Sequence, residues 1–423
     1  MCEYLSGADA FMWSLGKDPV LRSTIVTLIE LERAPDWQLV ADRFDQISRA
    51  VPRFRQRVVR SIPLLPPRWE LDPDFDIGFH LHRSAGSGLR QSDLLALAAA
   101  ALMAGYDHRR PLWEATFVDG LPDGGGALLC KFDHALTDGI GAVQIATILY
   151  DNLGMPPEGG RRPSRSLGLA PRAMTALRHP VDAALAAIPT ALSIYRAVRP
   201  IAGPRSPIMR DRTPTRHLDI LEVSKPALQC AGRAAGGSLN DAFIAAVAGG
   251  LRRYHECHDV AVDELVLSMP ISIRRQDDVA GGNRATLMRL AVPVGITDPA
   301  RRICEVHERT SKARAERSLA YTQLIASGLN AMPRRYVRSE LRRVDFVASD
   351  VPGFPLPLRL GGAPVRMQYA FSPTLGASIN TTMLTYVDTC AIGINVDTGA
   401  IPDPDVLHGC LAAGFDETIS IVA

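Results

Sequence analysis

A histidine and an aspartate stand four positions apart in the stretch KFDHALTDGIG, residues 131 to 141. His134 follows an apolar run that is typical of a β-strand, and Asp138 and Gly139 precede a run with helical spacing. An imidazole titrates near neutral pH and can take a proton from an alcohol or a thiol once its tautomer is held. The spacing makes His134 a candidate general base, with Asp138 placed to support the turn and Gly139 permitting close backbone approach.

Other interpretations of these residues stay open on spacing alone. A lone His-x-x-x-Asp pattern often arises by chance, and on spacing alone a structural histidine at a strand end is the favoured explanation. A metal site needs a third ligand, and none stands nearby at ligand spacing, so we expect no metal. The group His255, Cys257 and His258 is predicted to be a solvated helix end. Cys130 lies in the apolar run and is predicted to be a core residue, not a nucleophile.

Composition limits the class of protein. The chain has 423 residues, of which 47% are hydrophobic and 22% charged, and this predicts a densely packed protein with two domains or two lobes. A formal net charge of +2 gives no reason to expect nucleic-acid binding. Seven cysteines without paired spacing indicate free thiols in a reducing compartment. With no signal-peptide pattern and no run of about 18 apolar residues, we expect a cytoplasmic protein.

Strand-like and helix-like segments alternate along the chain, which predicts an α+β fold. The predicted units are an N-terminal lobe (1–151), a basic crossover linker with a helix (152–216) and a C-terminal lobe (217–423). The linker carries eleven arginines and few acids. It is interpreted as a helix packed on the two lobes or as a surface that rests on anionic lipid. A helix over 92–105 is predicted with Ser92 as N-cap and Gly105 as C-cap, and a later helix with Ser238 or Asn240 as N-cap.

Three short motifs occur in order along the chain. They are Pro111, Leu112 and Trp113 in PLWEATFVDGL, then His134, Asp138 and Gly139 in DHALTDG, then Asn240 and Asp241 in LND. With segments such as VPRFRQRVV and SINTTMLTYVDTCAIGINVD, they resemble the bacterial bifunctional wax ester synthase / acyl-CoA:diacylglycerol acyltransferase family. That family belongs to the CoA-dependent acyltransferase superfamily, with chloramphenicol acetyltransferase and peptide-synthetase condensation domains. The resemblance covers essentially the whole chain.

The resemblance implies two chloramphenicol acetyltransferase-like lobes, each a mixed sheet with helices, and an active-site channel at their interface. It implies His134 as the base, and Asp138 as a carboxylate that pairs with an arginine, for which Arg274 is the candidate. Candidate oxyanion donors are Asn240 and three hydroxyls of the SINTT segment: Ser378, Thr381 and Thr382. Trp113 is predicted mainly to pack, with a channel wall as the alternative, and Asn240 is equally well explained as a helix cap.

The implied reaction is transfer of a long-chain acyl group from acyl-CoA to diacylglycerol or a long-chain alcohol, with acyl-CoA as co-substrate and no cofactor. Such substrates lead us to expect peripheral attachment to the inner membrane face or to lipid droplets. The alternatives are a condensation-like enzyme with another donor or acceptor, and a non-catalytic lipid binder. One departure bears on this choice, because Asp133 stands where the family has its first histidine. A second is SDVPGF, where relatives tend to have Asn and a final Pro.

Overall fold

The protein is seen in a computed structural model, which describes residues 3–60, 66–86, 88–153, 205–272, 285–315, 328–330 and 332–422. The strands are Glu3–Tyr4 (β1), Thr24–Leu31 (β2), Gln56–Val59 (β3), Arg68–Leu71 (β4), Leu81–Ala85 (β5), Trp113–Asp119 (β6), Gly126–Asp133 (β7), Arg216–Ser224 (β8), Glu264–Ser272 (β9), Ala285–Pro293 (β10), Phe346–Phe354 (β11), Arg359–Leu360 (β12), Ala363–Phe371 (β13), Ile379–Tyr386 (β14) and Thr389–Asp397 (β15).

Helices are interspersed with these strands. They are Gly7–Leu15 (α1), Trp37–Ala50 (α2), Gln91–Met103 (α3), Gly139–Leu149 (α4), Lys225–Ala234 (α5), Leu239–Cys257 (α6), Pro299–Arg314 (α7), Arg334–Leu341 (α8) and Pro404–Ile419 (α9). The predicted α+β class with two sheet-rich lobes is confirmed.

Two six-stranded sheets form the centres of the lobes. The first has the order β12-β13-β2-β7-β6-β5 and the second β10-β9-β11-β14-β15-β8. Most neighbours are antiparallel, while β5 and β6 are parallel, as is β11 to both β9 and β14. A small sheet, β1-β4-β3, lies beside them. Strands such as β2 and β7 are buried on both faces because helices or the other lobe cover each side.

One segment from the C-terminal half completes the N-terminal sheet. Strand β13 pairs with β2, from Val365 opposite Leu31 to Phe371 opposite Val26. The predicted division at 216/217 stays a prediction, but a strict assignment of 217–423 to one lobe is wrong for β12 and β13. Pairing across more than three hundred residues fixes where this segment lies, and local sequence carries no signal for it.

Contacts between the lobes are close and partly polar. A Cβ on Gly393 of β15 would lie 2.1 Å from the Ala370 carbonyl oxygen of β13, so the two sheets touch backbone to backbone there. The Asn395 amide donates to the Ser372 carbonyl at 2.9 Å. The Tyr369 hydroxyl donates to Glu222 at 2.6 Å. These bonds hold β13, and with it the first sheet, against the second lobe.

Helix caps differ from prediction in one case and decide between alternatives in another. Helix α3 begins at Gln91, one residue before Ser92, and the Asp93 carboxylate accepts the Arg90 N–H at 2.8 Å. The predicted N-cap Ser92 is therefore wrong, because Arg90 precedes the helix and an acid in the first turn stabilises this end. The predicted C-cap Gly105 is wrong by one residue, because the helix ends at Met103 and Ala104 is its cap. Helix α6 is capped by Ser238, not Asn240.

Candidate active site

The chain turns sharply at the end of β7, directly at the DHALTDG motif. The Asp133 N–H donates to the Leu112 carbonyl at 3.0 Å, and the His134 N–H donates to the Ser23 carbonyl at 2.9 Å. The Asp133 carboxylate then accepts the Ala135 N–H at 2.8 Å, which closes the turn. The neighbouring strands therefore hold the backbone of His134 on both sides.

Asp138 is the N-cap of α4. Its buried carboxylate accepts the Gly141 N–H at 2.7 Å, which satisfies one of the free amides of the first helical turn. A cap at this position fixes where the helix starts and hence where the turn carrying His134 ends. The proposed partner Arg274 lies outside the described residues.

His134 opens onto a cavity of about 170 Å³ between the lobes. Its floor is one face of the first sheet, where alternate residues of β13, β2 and β7 point the same way. Its roof is one face of α4, and α2 adds aromatic and aliphatic side chains. The floor residues are Gln368, Ala370, Ser372, Ile25, Thr27, Ile29, Cys130, Phe132 and His134, and those from α4 include Ile140, Val143, Ala146 and Leu149. The walls are overwhelmingly apolar.

The second lobe contributes the opposite wall, at a gap in its sheet. Strand β11 pairs with β9 only at Phe346 and Val347, after which the two strands separate. The residues that follow on β11, Ser349, Asp350 and Val351, line the cavity together with Pro270 of β9. The cavity thus lies between the lobes and is lined by both.

The protonation state of His134 is set mainly by its surroundings. Burial lowers the pKa of His134, and the nearby Asp138 carboxylate acts in the opposite direction. The lowered pKa keeps the imidazole neutral at neutral pH. A neutral imidazole is the form that can accept a proton.

Asp133 faces away from the cavity and is buried, as strand alternation predicts. Its side chain has one oxygen on the Ala135 N–H and the other 3.5 Å from the Ser23 hydroxyl, which itself donates to the Met12 carbonyl. Burial raises the pKa of Asp133 to about 7, against the opposing effects of Ala135, Ser23 and Lys131. A substantial fraction of Asp133 is therefore uncharged near neutral pH, which lowers the cost of placing an acid there.

Trp113 lies behind the cavity wall rather than in it. Its ring is fully buried, stacks on Phe44 at a centroid distance of 5.7 Å, and its indole N–H donates to the Phe54 carbonyl at 2.9 Å. Phe44 and Phe54 themselves line the cavity. Pro111 and Leu112 are buried just before it, and the Leu112 carbonyl holds the end of β7. The geometry matches a packing role.

The Asn-Asp motif joins two helices of the second lobe. Asp241 accepts bonds from the Ser238 N–H at 2.9 Å, from His307 Nδ1 at 2.8 Å and from the Thr310 hydroxyl at 2.8 Å. Burial acts to raise the pKa of Asp241, but these donors together hold it below its ordinary value. Asn240 is buried with its amide 3.7 Å from the Met269 sulfur, and it is not among the residues that line the cavity.

The three hydroxyls proposed as oxyanion donors point elsewhere. Ser378 bonds to the Met209 carbonyl, Thr381 to the Val347 carbonyl and Thr382 to the Asn380 side chain. None of the three lines the cavity, whereas Asn380 does. The Asn380 amide donates to the Pro373 carbonyl at 2.8 Å, which places it beside the end of β13 nearest His134. Asn380 was not predicted as a site residue. The feature of the sequence that could have indicated it is a polar amide side chain inside a predicted strand.

Asp350 and Gln368 are polar cavity residues that were not predicted from the sequence as site residues. Asp350 lines the cavity. The protein around its carboxyl group desolvates it and raises its pKa to about 6, while the charge of Arg314 acts to lower that pKa. Gln368 belongs to the strand β13, whose lobe could not be inferred. Cys130 lines the cavity too, and burial raises its pKa to about 12, so its thiol stays protonated and unsuited to act as a nucleophile.

Membrane-spanning helices and clusters of metal ligands are both absent from the residues that the structure describes. Among them, no helix has the length and apolarity that crossing a bilayer requires. Within the same residues, no three histidine, cysteine or acidic side chains converge as metal ligands would. His255 instead bonds to Ser206, and His258 to Asp403.

The fold has counterparts among solved structures. A wax ester synthase/diacylglycerol acyltransferase from Marinobacter aquaeolei VT8 superposes with a TM-score of 0.67 over 98% of each chain, at 21% identity. A starter condensation domain of rhizomide synthetase, solved in complex with C8-CoA and Leu-SNAC, superposes with a TM-score of 0.66 over 99% of this chain and 94% of that one, at 15% identity. At these identities the likeness establishes the fold.

Sequence comparisons establish the family. The wax ester synthase/diacylglycerol acyltransferase catalytic domain matches residues 5–243, and the C-terminal domain of the same family matches residues 281–418. A putative diacylglycerol O-acyltransferase of Mycobacterium tuberculosis is 32% identical, over 100% of this chain and 92% of the relative. A probable one from the same species is 28% identical, over 92% and 88%. The chain belongs to the wax ester synthase/diacylglycerol acyltransferase family, which confirms the predicted resemblance.

Proposed function

We propose that the protein transfers a long-chain acyl group from acyl-CoA to the hydroxyl of diacylglycerol or of a long-chain alcohol, with His134 as general base. The observation that carries the proposal is the position of His134 at one end of the apolar cavity between the lobes, a long groove with the first sheet as its floor and α4 as its roof. Relatives across the full chain are named diacylglycerol O-acyltransferases. The groove supplies a place for a chain, and the histidine supplies the chemistry.

The length of the groove suits a long chain. Gln368 pairs with Ile29, and Ile29 pairs with Leu128, which is six residues before His134 on β7. Six residues of antiparallel strand span about 20 Å. The α4 helix that covers the groove has 11 residues and spans about 16 Å. Burying each methylene of a chain here contributes about 0.8 kcal/mol, so the apolar walls favour long substrates over short ones.

The reaction needs one proton relay and no covalent enzyme intermediate. Neutral His134 removes the proton of the acceptor hydroxyl as its oxygen attacks the thioester carbonyl carbon. A C–O bond forms, and the carbonyl oxygen takes up negative charge. The intermediate then collapses, the C–S bond breaks, and the imidazolium returns the proton to the departing CoA sulfur. The products are an ester and free CoA, so the histidine ends neutral.

The developing oxyanion needs a donor near His134, and we assign this role to Asn380. Its amide lines the cavity and gives one N–H to the Pro373 carbonyl, which leaves the second N–H of the NH₂ group for a ligand. Thr382 donates to the amide oxygen at 3.1 Å and fixes its orientation. Removing one such donor typically costs about a hundredfold to a thousandfold in kcat.

Asp138, Gly139 and Asp133 act through position. Asp138 fixes the start of α4, and its charge supports the basicity of His134. Gly139 leaves room for β11 of the second lobe. Asp133 closes the turn with its bond to the Ala135 N–H, on the sheet face away from the substrate. An acid can therefore replace the family histidine here without entering the reaction.

We also propose that the enzyme meets its substrates at a lipid surface. Leu71 and Phe79 are 62% and 56% exposed, and the Arg110 guanidinium stands 4.3 Å from the Phe79 ring centre. Two exposed apolar side chains, one of them beneath a guanidinium that also bonds to Asp72, are suited to the headgroup region of a membrane. The crossover arginines, Arg161, Arg162, Arg165, Arg172 and Arg178, lie outside the described residues. Pelleting with anionic vesicles that is unchanged in Leu71→Ser/Phe79→Ser would contradict a role for this pair.

Product analysis tests the proposed activity. The purified protein is incubated with palmitoyl-CoA and either dioleoylglycerol or hexadecanol, and the lipids are identified by mass spectrometry. We expect triacylglycerol or wax ester in amounts equal to the CoA released. Ester formation with neither acceptor would refute the proposal. Activity only with a phosphopantetheine-tethered donor would favour the condensation-like alternative.

A further inference from the structure

A glutamine lies far from His134 in the wall of the groove, with one polar atom unsatisfied. Gln368 is 5% exposed and lines the cavity. The Tyr150 hydroxyl donates to its Oε1 at 2.9 Å. Its Nε2 is buried and has no hydrogen-bond partner among the described residues. The amide is therefore held at one end and unsatisfied at the other.

The surroundings of Gln368 are apolar. Tyr150 packs edge-on against Phe354 at 5.4 Å, and Ile29 and Leu384 line the same part of the cavity. An unsatisfied buried donor is destabilising, and most buried donors in folded proteins have a partner. Leucine or methionine would fill this position without that cost. A ligand that supplies an acceptor atom would remove it.

The position of Gln368 fixes where on the ligand that acceptor must be. The register of β13, β2 and β7 places it about 20 Å along the groove from His134. Six extended residues contain about 18 backbone bonds. A fully extended alkyl chain of similar bond number, about 16 to 18 carbons, reaches from the reacting carbonyl or hydroxyl to the Gln368 amide.

We propose that Gln368 binds an oxygen atom near the far end of a long substrate chain, so that the preferred substrate is an oxygenated lipid chain and not a plain alkyl chain. The inference rests on the proposed function in one respect, namely that the groove holds a substrate chain. The amide N–H would donate to an ether, hydroxyl or carbonyl oxygen. Tyr150 is a positioning residue, because its hydroxyl fixes the orientation of the amide.

The oxygenated chain can belong to the acyl donor or to the alcohol acceptor, and two sets of matched substrates separate them. In the first set, ω-methoxydodecanoyl-, ω-methoxytetradecanoyl- and ω-methoxyhexadecanoyl-CoA are each compared with the acyl-CoA that has a methylene in place of the ether oxygen. In the second set, the corresponding ω-methoxy alcohols are compared with tetradecanol, hexadecanol and octadecanol. An ether oxygen accepts a hydrogen bond, cannot itself be acylated, and nearly matches a methylene in volume.

The expected result is a preference for one ether series. A neutral hydrogen bond is worth about 0.5–1.5 kcal/mol, so kcat/KM should favour the matching ether by about threefold to tenfold at one chain length. In Gln368→Leu, this preference should disappear, so that ether and plain chains of equal length give the same kcat/KM. Thr27→Val is the matched control, because Thr27 lines the same floor nearer to His134, and it should keep the preference. Melting temperatures establish that both variants fold.

Binding is measured in parallel, so that this inference and the proposed function can fail separately. The affinities of the ω-methoxy and plain alcohols are determined by calorimetry without acyl-CoA. Those of the donor pairs are determined with His134→Ala, which cannot turn them over. No ether preference in either series, in turnover or in binding, would overturn the inference. An ether preference in binding with no ester formation would retain the inference and refute the proposed function.

Discussion

Gly139 and Val351 meet where the two lobes close over His134. A Cβ on Gly139, the first residue of α4, would lie 3.2 Å from Cγ2 of Val351 on β11. Gly139 follows the N-cap Asp138 and lies at the start of α4 in the first lobe, and Val351 lines the cavity from the second lobe. The distance between the lobes at the site therefore depends on the missing side chain of this glycine.

Adding a methyl group at Gly139 is expected to separate the lobes slightly. Overpacking of this kind typically costs about 1–3 kcal/mol, so we expect Gly139→Ala to lower kcat/KM about tenfold. Val351→Ala in the same chain should restore most of the loss, because it removes the atoms that the new Cβ contacts. Gly409→Ala is the matched control, since nothing lies within 4 Å of its Cβ position on α9. Independent, additive effects of the two substitutions would contradict the predicted contact.

The pH dependence of the reaction reports the protonation of His134. Burial lowers its pKa from the ordinary value near 6.5, so kcat/KM should rise with pH through a midpoint below about 6.5 and then level off. Asp138→Asn keeps an oxygen that can cap α4 but removes the charge that raises the pKa of His134. Its midpoint should therefore move to still lower pH, with little change in melting temperature.

Asp350 provides the control for that assignment. Its pKa is raised to about 6, in the range where the acid limb is expected. If the limb reports His134, Asp350→Asn leaves it in place. If the rise of kcat/KM with pH disappears in Asp350→Asn and keeps its midpoint in Asp138→Asn, the titrating group is Asp350 and not His134. That result would contradict the assignment.

The stability of the protein should depend on pH through Asp133. Its pKa is about 7 in the folded state and near 4 when unfolded, so the folded protein binds more protons between these values. The free energy of unfolding therefore falls as the pH rises from about 4 to about 7, by at most about 1.4 kcal/mol per pH unit. Above pH 7 the effect is constant.

Asp133→Asn removes this dependence while keeping an acceptor for the Ala135 N–H. We expect the variant to gain melting temperature relative to wild type, and the gain should be larger at about pH 8 than at about pH 5. Asp42→Asn, an exchange at an exposed position of α2, controls for the change in net charge. A gain that is equal at both pH values would show that Asp133 does not titrate in this window.

Chain-length preference should follow the size of the groove. Ala146 lies two turns along α4 and lines the cavity. Ala146→Phe is expected to narrow the distal part of the groove, and excluding about two methylenes should reduce the preference for hexadecyl over shorter chains by about tenfold. Gln144→Phe puts the same bulk on a residue of α4 outside the lining and should leave the preference intact. If Ala146→Phe and Gln144→Phe have the same chain-length preference, the substrate chain does not lie along this part of the cavity.

Much of the site follows from local sequence, because local patterns fix it. The apolar run of β7, the polar turn and the helical spacing after Gly139 predict a strand, a turn and a capped helix, and these are present. Alternation along β7 also separates Asp133 from His134. The order of the three motifs adds the resemblance to the wax ester synthase/diacylglycerol acyltransferase family. The match to the family's two domains and to its relatives confirms that resemblance.

The remaining parts depend on contacts between distant segments. Nothing in residues 363–371 indicates that they pair with 24–31, so the floor of the groove and Gln368 were beyond reach. The SINTT segment was correctly predicted to be a strand, but packing decides that Asn380 faces the cavity. The Thr381 hydroxyl instead bonds to the Val347 carbonyl, and the Thr382 hydroxyl bonds to the Asn380 side chain and accepts the Ser372 N–H. The order of polar residues along a strand does not reveal which of them a second lobe leaves uncovered.

The central claim is that His134 is the base for an attacking hydroxyl, and one rate comparison tests it most directly. CoA release from palmitoyl-CoA is measured with and without the acceptor that gives product, for wild type and His134→Asn of equal melting temperature. We predict acceptor-dependent release in wild type and a rate at least about a hundredfold lower in the variant. Equal acceptor-dependent rates in the two proteins would contradict the account.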